Sequence, residues 1–137
     1  MELEKLTASD FQAMVIAGAE RLSENVDLIN SLNVFPVPDG DTGTNMNMSF
    51  QSGLENLRQS KSEHVGELAQ SLAKGLLMGA RGNSGVILSQ IFRGFSQAIK
   101  DKETLSSEDF VAAFVGGVES AYKAVMKGRE IDIKRSK

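Results

Sequence analysis

Apolar side chains recur at helical spacing in five stretches of this chain. Over residues 9–31 the stripe is Phe11, Met14, Val15, Leu22, Val26 and Ile29, with Ser9 and Gln12 as the candidate capping box. Asn25, Asp27 and Asn30 fall off that stripe and read as solvated. A second helix carries Met46, Phe50, Leu54 and Leu57, with Thr44 or Asn45 as its N-cap. Val65, Leu68, Leu72 and Leu76 mark a third over residues 65–77. Ile87, Ile91, Phe95 and Ala98 mark a fourth, capped by Asn83 or Ser84. The fifth opens at Ser106 with Asp109 and carries Phe110, Phe114, Val118, Ala121 and Val125; Gly116 and Gly117 inside it predict close helix packing. Met14, Met46 and Met48 read as core gap-fillers. Only Ile131 and Ile133 alternate as a strand would, and no partner strand is visible, so residues 128–137 read as a frayed, disordered tail. The pattern predicts an all-α fold, an antiparallel bundle of about five helices.

Two interruptions carry the candidate chemistry. The first, residues 33–45, holds both prolines, Pro36 and Pro38, and then Asp39 and Asp41 on either side of Gly40. Proline excludes helix interior and central strand, and pushes Phe35 and Val37 toward extended geometry. In locally extended backbone, carboxylates at i and i+2 point the same way and repel unless a cation lies between them. With no cysteine and one histidine, the usual nitrogen and sulfur ligands of zinc are missing. An EF-hand loop starting at Asp39 fails, because its sixth and twelfth positions hold Thr44 and Phe50. Magnesium held by one or two carboxylates and substrate phosphates remains. Asp-Gly is also ordinary turn chemistry, and on the loop alone the two readings stand level.

The second interruption is residues 79–85, with Gly79, Gly82 and Gly85 leading into a helix N-terminus, the geometry of a phosphate cradle. It lacks both the Gly-Lys-Ser/Thr of a Walker A loop and the Gly-x-Gly-x-x-Gly fingerprint. A tight interhelical turn is the plainer reading. Arg81 serves phosphate contact and solvation equally well. His64 reads as a surface loop residue and Tyr122 as a packing residue.

Composition narrows the remaining classes. The chain of 137 residues is one domain's worth, with 41% hydrophobic and 24% charged residues. A net charge of −3 and a pI near 5.2 give no reason to expect a nucleic-acid partner. Absence of cysteine fits a reducing compartment. The first residues show no signal pattern, and no apolar run approaches the length of a membrane span, so a cytoplasmic location is expected.

The two interruptions together resemble a known family. Residues 33–46 (NVFPVPDGDTGTNM) and 75–90 (GLLMGARGNSGVILSQ) look like the nucleotide-binding domain of the dihydroxyacetone kinase family, closest to its fatty acid kinase branch. Residues 121–127 (AYKAVMK) fit the same branch, and the likeness spans residues 6–127. The resemblance implies a helical bundle or barrel that grips ATP through Mg2+, and a domain over residues 1–127. It implies Asp39 and Asp41 as catalytic metal ligands, with Asn33 nearest to the place of a third acid that this chain lacks. It also implies contacts to nucleotide from Thr42, Thr44, Asn45, Gly82, Asn83 and Ser84. The implied reaction passes the γ-phosphate to a fatty acid carboxylate presented by a fatty-acid-binding partner protein. A dihydroxyacetone (glycerone) kinase subunit acting on a hydroxyl, and a non-catalytic helical interaction module, are the alternatives. Family members continue after the third motif with a Pro-Val-Glu-Gly-Thr run and further helices, where this chain has residues 128–137. The departure implies a C-terminally truncated domain, inactive alone, with uncovered helix faces open to self-association.

Overall fold

The computed structural model describes residues 5–33 and 39–135. Residues 34–38, with the expected extended geometry at Phe35 and Val37, lie outside that set. The described residues form six helices: α1 (Ala8–Glu24), α2 (Val26–Ser31), α3 (Thr42–Gln59), α4 (Val65–Gly79), α5 (Gly82–Ala98) and α6 (Ser107–Arg135). The all-α expectation holds; among the described residues the sole β feature is an antiparallel bridge between Leu6 and Leu105. The count exceeds five because the first predicted helix is two. Asn25 leaves helical geometry at φ −109° and ψ 10°, and its Nδ2 donates to the Arg21 carbonyl at 2.7 Å. A side chain that bonds back onto the preceding turn competes with the helix ladder and ends α1 there.

One device starts two of the helices. Thr7 caps α1: its Oγ1 accepts from the Asp10 N–H at 3.2 Å, and the Asp10 carboxylate accepts from the Thr7 N–H at 3.0 Å. The capping box is therefore Thr7 and Asp10, not Ser9 and Gln12. Ser106 and Asp109 repeat the reciprocal bonds at the head of α6, at 3.0 and 3.1 Å, as the sequence predicts. In each case the residue before the cap (Leu6, Leu105) and the fourth helical residue (Phe11, Phe110) join the core, the arrangement of a hydrophobic staple. The bridge between Leu6 and Leu105 ties the two helix starts together, with bonds of 2.6 and 3.0 Å.

Helices α3 and α4 run antiparallel, since Ser52 meets Gly79 while Asn56 donates to the Ser71 carbonyl. Their interface buries Leu54, Leu57, Leu68, Leu72 and Leu76, five of the eight residues of the two predicted stripes. Phe95 sits between Phe11, stacked at 6.1 Å, and Phe110, edge-on at 5.5 Å, so one ring joins α1, α5 and α6. Helices α5 and α6 meet backbone to backbone at Gly94 and Gly117, where a Cβ on Gly117 would run into the Ile91 carbonyl. A Cβ on Gly116 would meet open space, and only its carbonyl, which faces Gly94, takes part in that contact.

This close approach changes which side chains are inside. On α6 the small residues Ala113, Gly117 and Ala121 face inward, and Phe114, Val118 and Val125 are left exposed. On α5, Ile87 is exposed and Phe95 alone of the predicted stripe is fully buried. Met14 and Met48 are also exposed, off narrower buried stripes of Phe11, Val15 and Ala19 on α1 and of Phe50, Leu54 and Leu57 on α3; Met46 is half-buried. The backbone over residues 128–135 continues α6, where a frayed end was expected. Extending an existing helix costs far less than nucleating one.

Candidate functional site

The site is built where the first turns of α3 and α5 meet. Gly40, at φ 65°, lets the loop turn sharply between Asp39 and Asp41, both of which are exposed. Asp41 holds the N-cap position of α3 but makes no side-chain capping bond. Its Oδ1 accepts instead from Asn33 Nδ2 at 3.3 Å, so the third predicted metal residue braces the second. Its main-chain carbonyl accepts from the Asn45 N–H at 2.9 Å, which starts α3 at Thr42, ahead of the caps expected at Thr44 or Asn45.

The glycine corner comes from the other side. Ala80 and Arg81 alone separate α4 from α5, and α5 begins at Gly82, with Arg81 rather than Asn83 or Ser84 at the N-cap position. Gly82 sits at φ 67°, and a Cβ there would run into the side-chain amide of Asn45. Ser84 Oγ donates to the Thr42 carbonyl at 3.1 Å, joining the first turns of α3 and α5 directly. Behind this contact Ser49 is fully buried; its Oγ accepts from the Arg81 N–H at 2.9 Å and donates to the Asn45 carbonyl at 2.7 Å. The structure thus brings Asp41, Thr42, Asn45, Gly82 and Ser84 to one corner, and Asn83 lies exposed in the same turn of α5. Two helix N-termini at one corner present N–H groups and positive dipole ends to an anion.

Two contributors were not expected. Ser49 offers no sequence signal beyond its place on a helix face. Asn30, read from sequence as solvated, is half-buried and clasps Thr44: its Oδ1 accepts from the Thr44 N–H at 3.1 Å and its Nδ2 donates to Thr44 Oγ1 at 2.9 Å. His64, read as a surface loop residue, caps α4, with Nδ1 accepting from the Glu67 N–H at 3.3 Å.

The carboxylates of Asp39 and Asp41 and the side-chain carbonyl of Asn33 are oxygen donors of the kind magnesium takes, but among the described residues no group of three or more acidic, histidine or cysteine side chains gathers to cage an ion. A metal here would complete its shell from phosphate and water, as magnesium does. Among the described residues no helix is long and apolar enough to cross a membrane.

Comparison with known proteins identifies the family. Residues 36–132 match the DAK2 domain. Similar proteins include an uncharacterized protein of Staphylococcus epidermidis, 55% identical over 125 residues, and protein YloV of Bacillus subtilis, 54% identical over 127 residues. The alignments cover 91% and 93% of this chain and 23% of each relative, so the chain spans about a quarter of the length of the curated relatives it matches. A domain match over most of the chain leads to one assignment: the chain belongs to the DAK2 domain family, the nucleotide-binding domain of dihydroxyacetone kinase-type proteins, a family of ATP-dependent kinases.

Proposed function

We propose that this chain forms the ATP-gripping part of a kinase whose phosphate acceptor is a fatty acid carboxylate presented by a partner protein. The observation that carries the nucleotide reading is the bond from Ser84 Oγ to the Thr42 carbonyl, which sets the first turns of α3 and α5 side by side next to Asp41. The triphosphate would lie across these turns, with Asp39 and Asp41 holding magnesium and Asn33 bracing Asp41 through its amide. When bound, the ion would neutralise charge on the triphosphate. The chain's own residues orient: Thr42, Thr44, Asn45, Asn83 and Ser84 fix the phosphates so that the γ-phosphorus faces outward. An acceptor carboxylate oxygen bonds to that phosphorus as its bond to the β–γ bridging oxygen breaks. ADP leaves with the electron pair, and no general base is needed.

A hydroxyl acceptor, as in a dihydroxyacetone kinase, would require Asp39 or Asp41 to take the proton. The exposed apolar side chains of α6 favour a second reading, a helical interaction module, which demands no nucleotide at all. Calorimetry on the chain with ATP and magnesium separates these. Asp41→Ala should weaken magnesium-dependent ATP affinity by roughly a hundredfold or more, beyond what loss of a bracing residue costs. Unchanged affinity rules out the kinase reading. Trapping the product with hydroxylamine then identifies the acceptor: a hydroxamate reports an acyl phosphate, and a stable phosphate ester reports a hydroxyl.

A further inference from the structure

We infer that Asn30 is a positioning residue of this site, acting through Thr44 by fixing which way the threonine hydroxyl donates its proton. The inference rests on the nucleotide reading above. It starts from the two bonds between the pair, 3.1 Å from the Thr44 N–H to Oδ1 and 2.9 Å from Nδ2 to Thr44 Oγ1. A backbone N–H only donates, so the amide oxygen must face it, and the NH2 group must face the hydroxyl. The orientation of the amide is therefore set by chemistry. Thr44 Oγ1 is consumed as an acceptor on that side, and its single proton is left to donate elsewhere. Thr44 is exposed three residues beyond Asp41, on the same side of the first turn of α3, and helical side chains lean toward the helix N-terminus, so the free direction is the solvent beside Asp41. An outward hydroxyl donor there suits a phosphate oxygen.

The amide is also held firmly. Gly43 is buried under α2, and a Cβ on it would lie 2.6 Å from the Val26 carbonyl and 3.0 Å from Asn30 Oδ1. Helix α2 thus rests on the first turn of α3 with nothing but Gly43 between them. Helix α2 has no fully buried side chain of its own, and its contact with α3 runs through this amide and Gly43.

The test is a double-mutant cycle on magnesium-dependent ATP affinity, read by calorimetry, beside the melting temperature of the nucleotide-free chain. Asn30→Asp keeps an acceptor for the Thr44 N–H but turns the second contact into an acceptor too, drawing the hydroxyl proton inward. Thr44→Val removes the hydroxyl. Each should weaken affinity about tenfold, the scale of one hydrogen bond to a charged group. Because both act on one proton, the double variant should be no weaker than the poorer single one. An Asn30→Asp affinity within about twofold of the parent overturns the inference. So does a double variant showing the product of both losses, which would mean the added charge acts directly on the phosphates.

A second measurement needs no variant: hydrogen exchange at the Thr44 amide and the Asn30 side-chain amide should slow when magnesium and ATP are added, and unchanged rates overturn the inference. If the unaltered chain shows no magnesium-dependent binding, the nucleotide reading itself falls and takes the Asn30 role with it. If binding is present and abolished by Asp41→Ala while the cycle is additive, the Asn30 role alone falls.

Discussion

Gly82 is the residue on which the corner turns. At φ 67° an alanine is strained by the contact between its Cβ and the following carbonyl, and here the same Cβ also meets the Asn45 amide. Gly82→Ala should lower unfolding free energy by about 1–2 kcal/mol from the backbone strain, read as a shifted urea midpoint. It should also weaken ATP binding, because Asn45 has to move to make room. A variant as stable as the parent, with unchanged affinity, would show that this φ is not required. The turns at Gly40 and Gly82 were legible in the sequence because they follow from local backbone chemistry: each is a glycine that supplies positive φ. Asn30 was not. Its partner lies fourteen residues away across a loop, and nothing in the stripe of α1 and α2 says that α2 will rest on Gly43. Ser49 was hidden for the same reason, its two bonds depending on how the α4–α5 corner docks on α3.

The helix starts show what capping chemistry can specify and where it slips. Ser106 and Asp109 were readable as a box, whereas the sequence Thr7, Ala8, Ser9, Asp10 offers two overlapping starts. The staple between Leu6 and Phe11 selects the earlier one, and that is a tertiary fact. Both boxes have a pH signature. The Thr7 backbone N–H bonded to the Asp10 carboxylate, and the Ser106 N–H bonded to that of Asp109, hold each acid below its usual 3.8. A carboxylate with a lowered folded pKa binds fewer protons in the folded state. Its stabilising contribution is therefore complete above the unfolded value and is lost as pH falls through the folded one. The melting temperature should drop as pH falls below about 4, where these acids take up protons. Asp10→Asn and Asp109→Asn should each flatten part of that drop, as followed by circular dichroism. A slope identical in the parent and both variants would mean that the boxes contribute nothing to acid sensitivity. The helix pairing was less legible than the helices themselves. Gly117 brings α5 and α6 close enough for small residues to fill the interface, and so reverses the inside and outside expected for Phe114, Val118 and Val125.

For the molecule as a whole, the site and the exposed apolar face make separable demands. The corner joins α2, α3 and α5, elements distant in sequence that must all be in place for the triphosphate to be gripped. Ligand binding at such a junction stabilises the fold through mass action. ATP with magnesium at a hundred times its dissociation constant should add about 2.7 kcal/mol, which for a chain of this size corresponds to roughly a 10 °C rise in melting temperature. Chelating the metal with EDTA should remove most of that rise, since two carboxylates facing a triphosphate without a cation repel it. The outer face of α6, with Val111 60% and Tyr122 66% exposed, makes none of the bonds that build the corner and should not respond to nucleotide. Val118→Glu, placed in the middle of that face, should therefore leave the ATP-induced rise intact while reducing any concentration-dependent mass seen by light scattering. A rise that survives EDTA would remove magnesium from the account of the site. A rise abolished by Val118→Glu would mean that the α6 face and the nucleotide corner act as one unit, in which case the interaction and kinase readings describe the same surface.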